Sequence, residues 1–152
     1  MPLHGAGAPA KRLDRDDPSY ATYAMYRYLH MTPMESPLSP AEMFAVLSHP
    51  TRLRLALLMA EHGTLCVCEL QHALGEDQPR VSRQLANLRQ AGVIEGERRA
   101  QWVHYRLSPG LPGWAGAIID NALAGMQDDA AFNEDRRRLT SMTDRPNAAC
   151  SA

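Results

Sequence analysis

Cys66 and Cys68 stand two residues apart in the stretch Leu65-Cys66-Val67-Cys68-Glu69-Leu70. Thiolates are soft donors that select Cu(I), Zn(II) and iron–sulfur centres. Trivalent arsenic and antimony follow the same logic, because their bonds to sulfur are strong and covalent. Ten residues after Cys68 begins Gln78-Pro79-Arg80-Val81-Ser82-Arg83-Gln84-Leu85-Ala86-Asn87-Leu88. Its Arg side chains can pair bidentately with guanine, and its Gln and Asn with adenine. A soft-ligand pair beside such a stretch is the make-up of a chemical sensor that controls transcription.

The two chemistries must be held by separate elements. Cys66 to Leu74 reads as a short helix closed by Gly75, with Thr64 and Leu65 as a very short strand before it. On an ideal helix, residues two apart point about 200° from each other. One ion bound by both thiols is therefore expected to distort the first turn. That turn belongs to the helix supporting the DNA reader, so ligation and DNA docking would compete for one piece of backbone. The blander reading is a pair of inert buried thiols, since free Cys is often core.

Pro79 opens the reader helix, and Val81, Leu85 and Leu88 bury one face of it at i, i+4 and i+7. Gln78, Arg80, Ser82, Arg83, Gln84 and Asn87 are the candidate DNA-contacting side chains, most of them in the N-terminal half that enters the major groove in helix-turn-helix docking. Past Gly92, Val93-Ile94 and Gln101–Leu107 read as the strands of a β-hairpin. Trp102, His104 and Arg106 fall on one face of the second strand, and Val103, Tyr105 and Leu107 on the other. Arg98 and Arg99, in the hinge 97–100, are candidate phosphate or minor-groove contacts. Between residues 80 and 106, six arginines face two glutamates, whereas the whole chain of 152 residues carries a net charge of −1. The basic surface is local.

The surrounding chain supplies the frame. Ser39-Pro40-Ala41-Glu42 has the composition of a capping-box helix start, followed by Met43, Phe44 and Leu47 on one face. Ser48-His49-Pro50 breaks that helix, and Thr51 starts a central one, with Leu53, Ala56, Leu57 and Ala60 inward and Gly63 at its end. After Pro109, Leu111, Trp114, Ala115, Ile118, Ile119, Ala122, Leu123 and Met126 keep the 3.6-residue period. A small winged domain has little to cover so apolar a helix, which points to a second subunit. The expected dimerisation residues are Met43, Phe44, Leu47, Trp114, Ile118, Ile119, Ala122 and Leu123. Residues 1–38 read as a poorly ordered extension, 39–127 as the folded domain and 128–152 as a flexible polar tail. The fold class is mainly α with a small β-hairpin, a homodimeric winged helix-turn-helix. An odd count of three Cys argues against a secreted disulfide scaffold. No run of about 18 apolar residues exists to span a membrane. A cytoplasmic protein is expected.

Residues 40–124 resemble the arsenic-responsive repressors of the ArsR/SmtB family. The matching stretches are Leu47-Ser48-His49-Pro50-Thr51-Arg52-Leu53-Arg54, Leu65 to Leu70, Gln78 to Leu85, and Val103-His104-Tyr105-Arg106-Leu107. The resemblance implies a dimeric repressor that binds operator DNA and leaves it when As(III) or Sb(III) binds, with no organic cofactor. It assigns the inducer site to Cys66 and Cys68. Arsenic-type members often carry a third Cys three residues after the pair, where this chain has Gln71. Cadmium- and lead-sensing members add Cys from the N-terminal region, and residues 1–65 contain none. Zinc-sensing members use Asp and His on the last helix, which here has Asp120 but no His.

Three-coordinate As(III) therefore fits better than Cd(II), Pb(II) or Zn(II), which stay as the alternative. Cys150 is a candidate third ligand, reachable through a link whose r.m.s. span is on the order of 25–30 Å; water, chloride or a small thiol would serve instead. His49 and His104 read as structural, and His62 and His72 as weaker candidates for ligand or outer-layer roles. A different class, a dithiol enzyme, lacks any acid/base carboxylate pair, phosphate loop or Ser/His/Asp set. A winged helix whose thiols sense oxidants remains as a further alternative.

Overall fold

The computed structural model describes residues 38–145. The sequence-based expectations for residues 1–37 and for Cys150 lie outside these residues. Within them run α1 (Pro40–Leu47), α2 (Pro50–His62), β1 (Leu65–Cys66), α3 (Val67–Leu74), α4 (Gln78–Gln90), β2 (Ile94–Arg99), β3 (Trp102–Leu107), α5 (Gly113–Gly125) and α6 (Ala130–Ser141).

Five of the helices, α1 to α4 and α6, begin where a side chain takes up an unpaired amide, whereas α5 starts after Pro112 without one. At α1 the Ser39 amide donates to Glu42 Oε2 at 2.8 Å, and the Glu42 amide to Ser39 Oγ at 3.2 Å, closing the expected capping box. His49 caps α2, its Nδ1 accepting the Thr51 amide at 3.2 Å. Asp77 caps α4 by accepting the Arg80 amide at 3.0 Å. Gly75 ends α3 in the left-handed region at φ 63°. The Arg138 guanidinium lies over it, so near that a Cβ would meet Arg138 Nη1 at 2.5 Å.

The sheet is antiparallel, in the order β1-β3-β2. β3 pairs with β2 from Ile94 opposite Leu107 to Arg99 opposite Trp102. β1 adds two pairs, Leu65 opposite Tyr105 and Cys66 opposite His104. The hinge is shorter than residues 97–100: the turn is Ala100-Gln101, and Glu97, Arg98 and Arg99 belong to β2. Ala100 sits there at φ 55°.

The core gathers Met43, Leu47, Leu55, Leu57, Leu58, Leu65, Leu70, Val81, Leu85, Leu88 and Ile119, with Tyr105 and Leu107 packed against it. α2 is central and touches α1, α3, α4, α5 and β3. The expected dimer face is thus partly used by the chain itself. Met43, Leu47 and Ile119 are buried in this core, while Phe44 stays 61% exposed and Trp114 37%. Ile118, Ala122 and Leu123 are half-buried.

The largest correction concerns the flexible tail expected from 128. Ala130–Ser141 is a helix, capped by Asp129, which accepts the Phe132 amide at 2.8 Å. Phe132, Asp135 and Leu139 form its buried face, and it packs along α3. The Arg54 guanidinium holds the buried Asp135 carboxylate through both oxygens, Nε to Oδ2 at 2.6 Å. Arg136 stacks 4.4 Å over the Phe132 ring and pairs with Glu61 at 2.8 Å. A charge in the middle of the buried stripe hid this helix from a hydrophobic-periodicity reading.

Candidate thiol site and nucleic-acid interface

Cys66 is the last residue of β1 and the N-cap of α3, with extended backbone at φ −82° and ψ 163°. The expected 200° divergence does not apply, because only Cys68 lies inside the helix. Cys66 is instead part of a capping box. Its amide donates to Glu69 Oε2 at 2.8 Å, and its Sγ accepts the Glu69 amide at 3.5 Å. Glu69 is buried, and its Oε1 accepts from Arg145 Nε at 2.8 Å. Burial, then the Glu69 charge and Cys68, push the Cys66 thiol up to about 11, despite an opposing hydrogen bond from the Glu69 backbone.

Cys66 is buried and Cys68 half-buried, and both are free thiols. Cys68 lines a cleft of about 390 Å³ with Gln71, His72, Gly75, Glu76 and Met142, which lies just past α6. His72 therefore shares this opening with Cys68, while His62 pairs with Glu61 at 3.3 Å. Among the described residues no three His, Cys, Asp or Glu side chains are grouped to hold a metal ion.

The α4 surface divides cleanly. Val81, Gln84, Leu85 and Leu88 face inward. Gln78, Arg80, Arg83 and Asn87 are exposed, and Ser82 is half-buried. Gln84 is a correction to the set of candidate base readers. It is 9% exposed, and its Oε1 accepts from Arg52 Nη1 at 3.0 Å. Arg52 in turn ties the end of α1 through the Val46 carbonyl at 2.6 Å. Arg98 and Arg99 are exposed near the wing tip, Arg99 beside Glu97 at 3.0 Å. Arg80 reaches back to Glu76 at 3.5 Å.

Known proteins fit this architecture. The family model for "bacterial regulatory protein, arsR family" matches residues 49–95, the span from α2 to the start of β2. The arsenic resistance transcriptional regulator ArsR1 of Pseudomonas putida is 42% identical over 120 residues, covering 78% of this chain and 92% of that protein. The chain belongs to the bacterial arsR family.

This arsR-family protein is a transcriptional regulator and not an enzyme. The arsenical resistance operon repressor of Escherichia coli is also similar, 49% identical over 85 residues that cover 56% of this chain and 73% of that protein. Among solved structures, the repressor BigR of Xylella fastidiosa is 36% identical, with a TM-score of 0.48 over 57% of this chain and 81% of that one. The arsR-family match takes in Cys66, Cys68 and all of α4 but stops short of α6 and most of the wing.

Proposed function

We propose that this protein is a metalloid-responsive repressor that binds operator DNA as a homodimer and releases it when As(III) or Sb(III) binds the Cys66 and Cys68 thiolates. One observation carries the reading: Cys66 is the N-cap of α3, and α3 packs directly on α4. An inducer atom bonded to this sulfur acts on the residue that starts the supporting helix of the helix-turn-helix. It competes with the Glu69 amide for the Sγ lone pairs and pulls on a capping box. Loss of an N-cap costs about 1 kcal/mol, the scale needed to bias a docking equilibrium.

On the DNA side, Arg80, Ser82, Arg83 and Asn87, with Gln78 at the helix start, would face base edges, and Arg98 and Arg99 the phosphates. Phe44 and Trp114, with the half-buried Ile118, Ala122 and Leu123, would form the surface that a second copy covers. Cys150 stays a candidate third thiolate. The protein would act in the cytoplasm, on DNA and with reduced thiols. Its similarity to an arsenic resistance regulator and to an arsenical resistance operon repressor supports the inducer class.

The test is fluorescence anisotropy on DNA from the protein's own upstream region, under reducing conditions. Arsenite and antimonite should release the parent, while Cys66→Ser/Cys68→Ser stays bound. Release by Cd(II), Pb(II) or Zn(II) alone would move the protein to the metal-sensing alternative. Release by peroxide but not by arsenite would make it an oxidant sensor. In the same assay, a weaker arsenite response of Cys150→Ser would give Cys150 a place in the site, and an unchanged one would remove it.

A further inference from the structure

His104 is 2% exposed, and neither ring nitrogen has a hydrogen-bond partner. A buried imidazole always carries at least one N–H donor or lone pair in need of a partner. Leaving such a group unsatisfied costs about 1–3 kcal/mol, so its environment calls for an explanation. The strand register provides one. His104 lies directly opposite Cys66 across the β1–β3 pair. Directly opposed side chains emerge on the same face of a sheet, their Cβ atoms about 4.5–5.5 Å apart. On its other side His104 is opposite Glu97, whose carboxylate is turned to Arg99 instead. The two oxygens of Glu69 are engaged by the Cys66 amide and by Arg145. Thus a buried thiol and a buried, unpartnered imidazole share one face of the sheet at the start of α3.

We infer that His104 recognises the oxygen that remains on arsenic after two thiols have bound it. This rests on the metalloid reading of the thiol pair given above. Arsenous acid, As(OH)₃, reacts with the Cys66 and Cys68 thiols by exchanging two hydroxyls. Two As–O bonds break and two As–S bonds form. Each thiol proton leaves with a hydroxide as water, and no electrons change hands. The product, (Cys-S)₂As–OH, keeps one hydroxyl. That group both donates and accepts a hydrogen bond, so a neutral imidazole satisfies it in either tautomer, and it satisfies the imidazole in return. Arsenic needs no third protein sulfur in this arrangement, consistent with Gln71 three residues after Cys68. His104 is then a specificity residue for the inducer, contributing a hydrogen bond and no bond to arsenic.

Methylarsonous acid, CH₃As(OH)₂, is the matched probe. It loses both hydroxyls to the two thiols and presents a methyl group of nearly the same size in place of As–OH. Binding of arsenite and of methylarsonous acid is measured by the sulfur-to-arsenic charge-transfer absorbance and by DNA release. The parent is compared with His104→Phe and His104→Gln, with thermal melts beside each. His104→Phe should bind arsenite on the order of tenfold more weakly, the worth of one buried hydrogen bond, and bind methylarsonous acid like the parent. His104→Gln, which can still hydrogen-bond, should recover most of the arsenite affinity.

Equal losses for both arsenicals would make His104 a fold residue only, and no loss for either would also overturn the inference. An arsenic X-ray absorption spectrum of the arsenite-loaded parent with three sulfur neighbours would do the same, because no hydroxyl would remain to be held. If the parent binds neither arsenical, the proposed function fails and takes this inference with it. If the parent binds both and the variants follow it, the proposed function survives and His104 alone is dismissed.

Discussion

Cys66 sits where burial and the Glu69 carboxylate both disfavour its thiolate, which moves its pKa from 9.0 to about 11. The folded state then holds the Cys66 proton more tightly than the unfolded state does. Stability from this group is complete below pH 9 and is lost as pH rises toward 11. Urea denaturation of the parent between pH 8 and 11 should show that loss, and Cys66→Ala should lose less over the same window. Parallel curves would mean that Cys66 titrates normally. Iodoacetamide under native conditions near neutral pH should label Cys68 well before Cys66, because Cys66 is buried and Cys68 opens on the cleft beside α6. The two glutamine and arginine neighbours on α4 separate in the same way. Arg83 is exposed and Gln84 is bound to Arg52. Arg83→Ala should weaken operator binding by about 1–3 kcal/mol with little change in stability. Gln84→Ala should lower stability, because it removes the acceptor through which Arg52 ties α2 to α4 and leaves Arg52 Nη1 without that bond. An operator affinity unchanged by Arg83→Ala would show that α4 is not the reader. The exposed half of this contrast was legible in the sequence from Arg spacing, but the buried half was not, since nothing in the pattern of α4 announces a partner on α2.

At the scale of elements, α6 is held to α2 and α3 by an apolar stripe and two arginine–carboxylate pairs. The Arg54–Asp135 pair is asymmetric: Asp135 is fully buried, while the Arg54 side chain is partly open to solvent. The Asp135 carboxylate raises the pKa of Arg54 further by hydrogen bonding, so the cation is firmly kept. Removing Arg54 leaves a buried carboxylate with no counter-charge, which costs on the order of 3–5 kcal/mol. Removing the carboxylate leaves a guanidinium that water can reach. Arg54→Ala should therefore shift the urea midpoint down more than Asp135→Asn does, and the reverse order would refute the docking of α6 described above. α1 was legible because its cap and its apolar period agree, at Ser39-Pro40-Ala41-Glu42, and α5 from its apolar period alone. α6 was not, since Asp135 interrupts its stripe and Arg136-Arg137-Arg138 reads as a solvated run. His104 was hidden for a different reason. It reads as structural in the sequence, but it alternates with Trp102 and Arg106, and nothing in that alternation says which face of β3 is covered. Its burial depends on two β1 pairings that no period of two can reveal.

At the scale of the molecule, the net charge of −1 leaves DNA attraction to the basic surface of α4 and the wing. If Arg98 and Arg99 meet phosphates, Arg98→Ala/Arg99→Ala should flatten the dependence of log affinity on log salt by roughly two for each wing that docks, at nearly constant sequence preference. A helix-turn-helix pair that reads two half-sites also needs a dimer surface. The residues available for it differ from those that apolar periodicity alone selects. Met43, Leu47 and Ile119 are already consumed by the core, so their truncation should destabilise the subunit itself, by about 2–5 kcal/mol for Met43→Ala or Ile119→Ala. Phe44 and Trp114 are instead exposed, on α1 and α5, and are the large apolar side chains there that the proposed second copy would cover. Phe44→Glu/Trp114→Glu should leave the melting temperature of the isolated subunit nearly unchanged. If a second copy covers this face as proposed, the parent should sediment as a dimer and the same variant as a monomer, and the variant's operator affinity should fall because two half-sites are no longer bound together. A variant that remains dimeric and stays on its operator would place the subunit contact elsewhere on the chain and remove α1 and α5 from it.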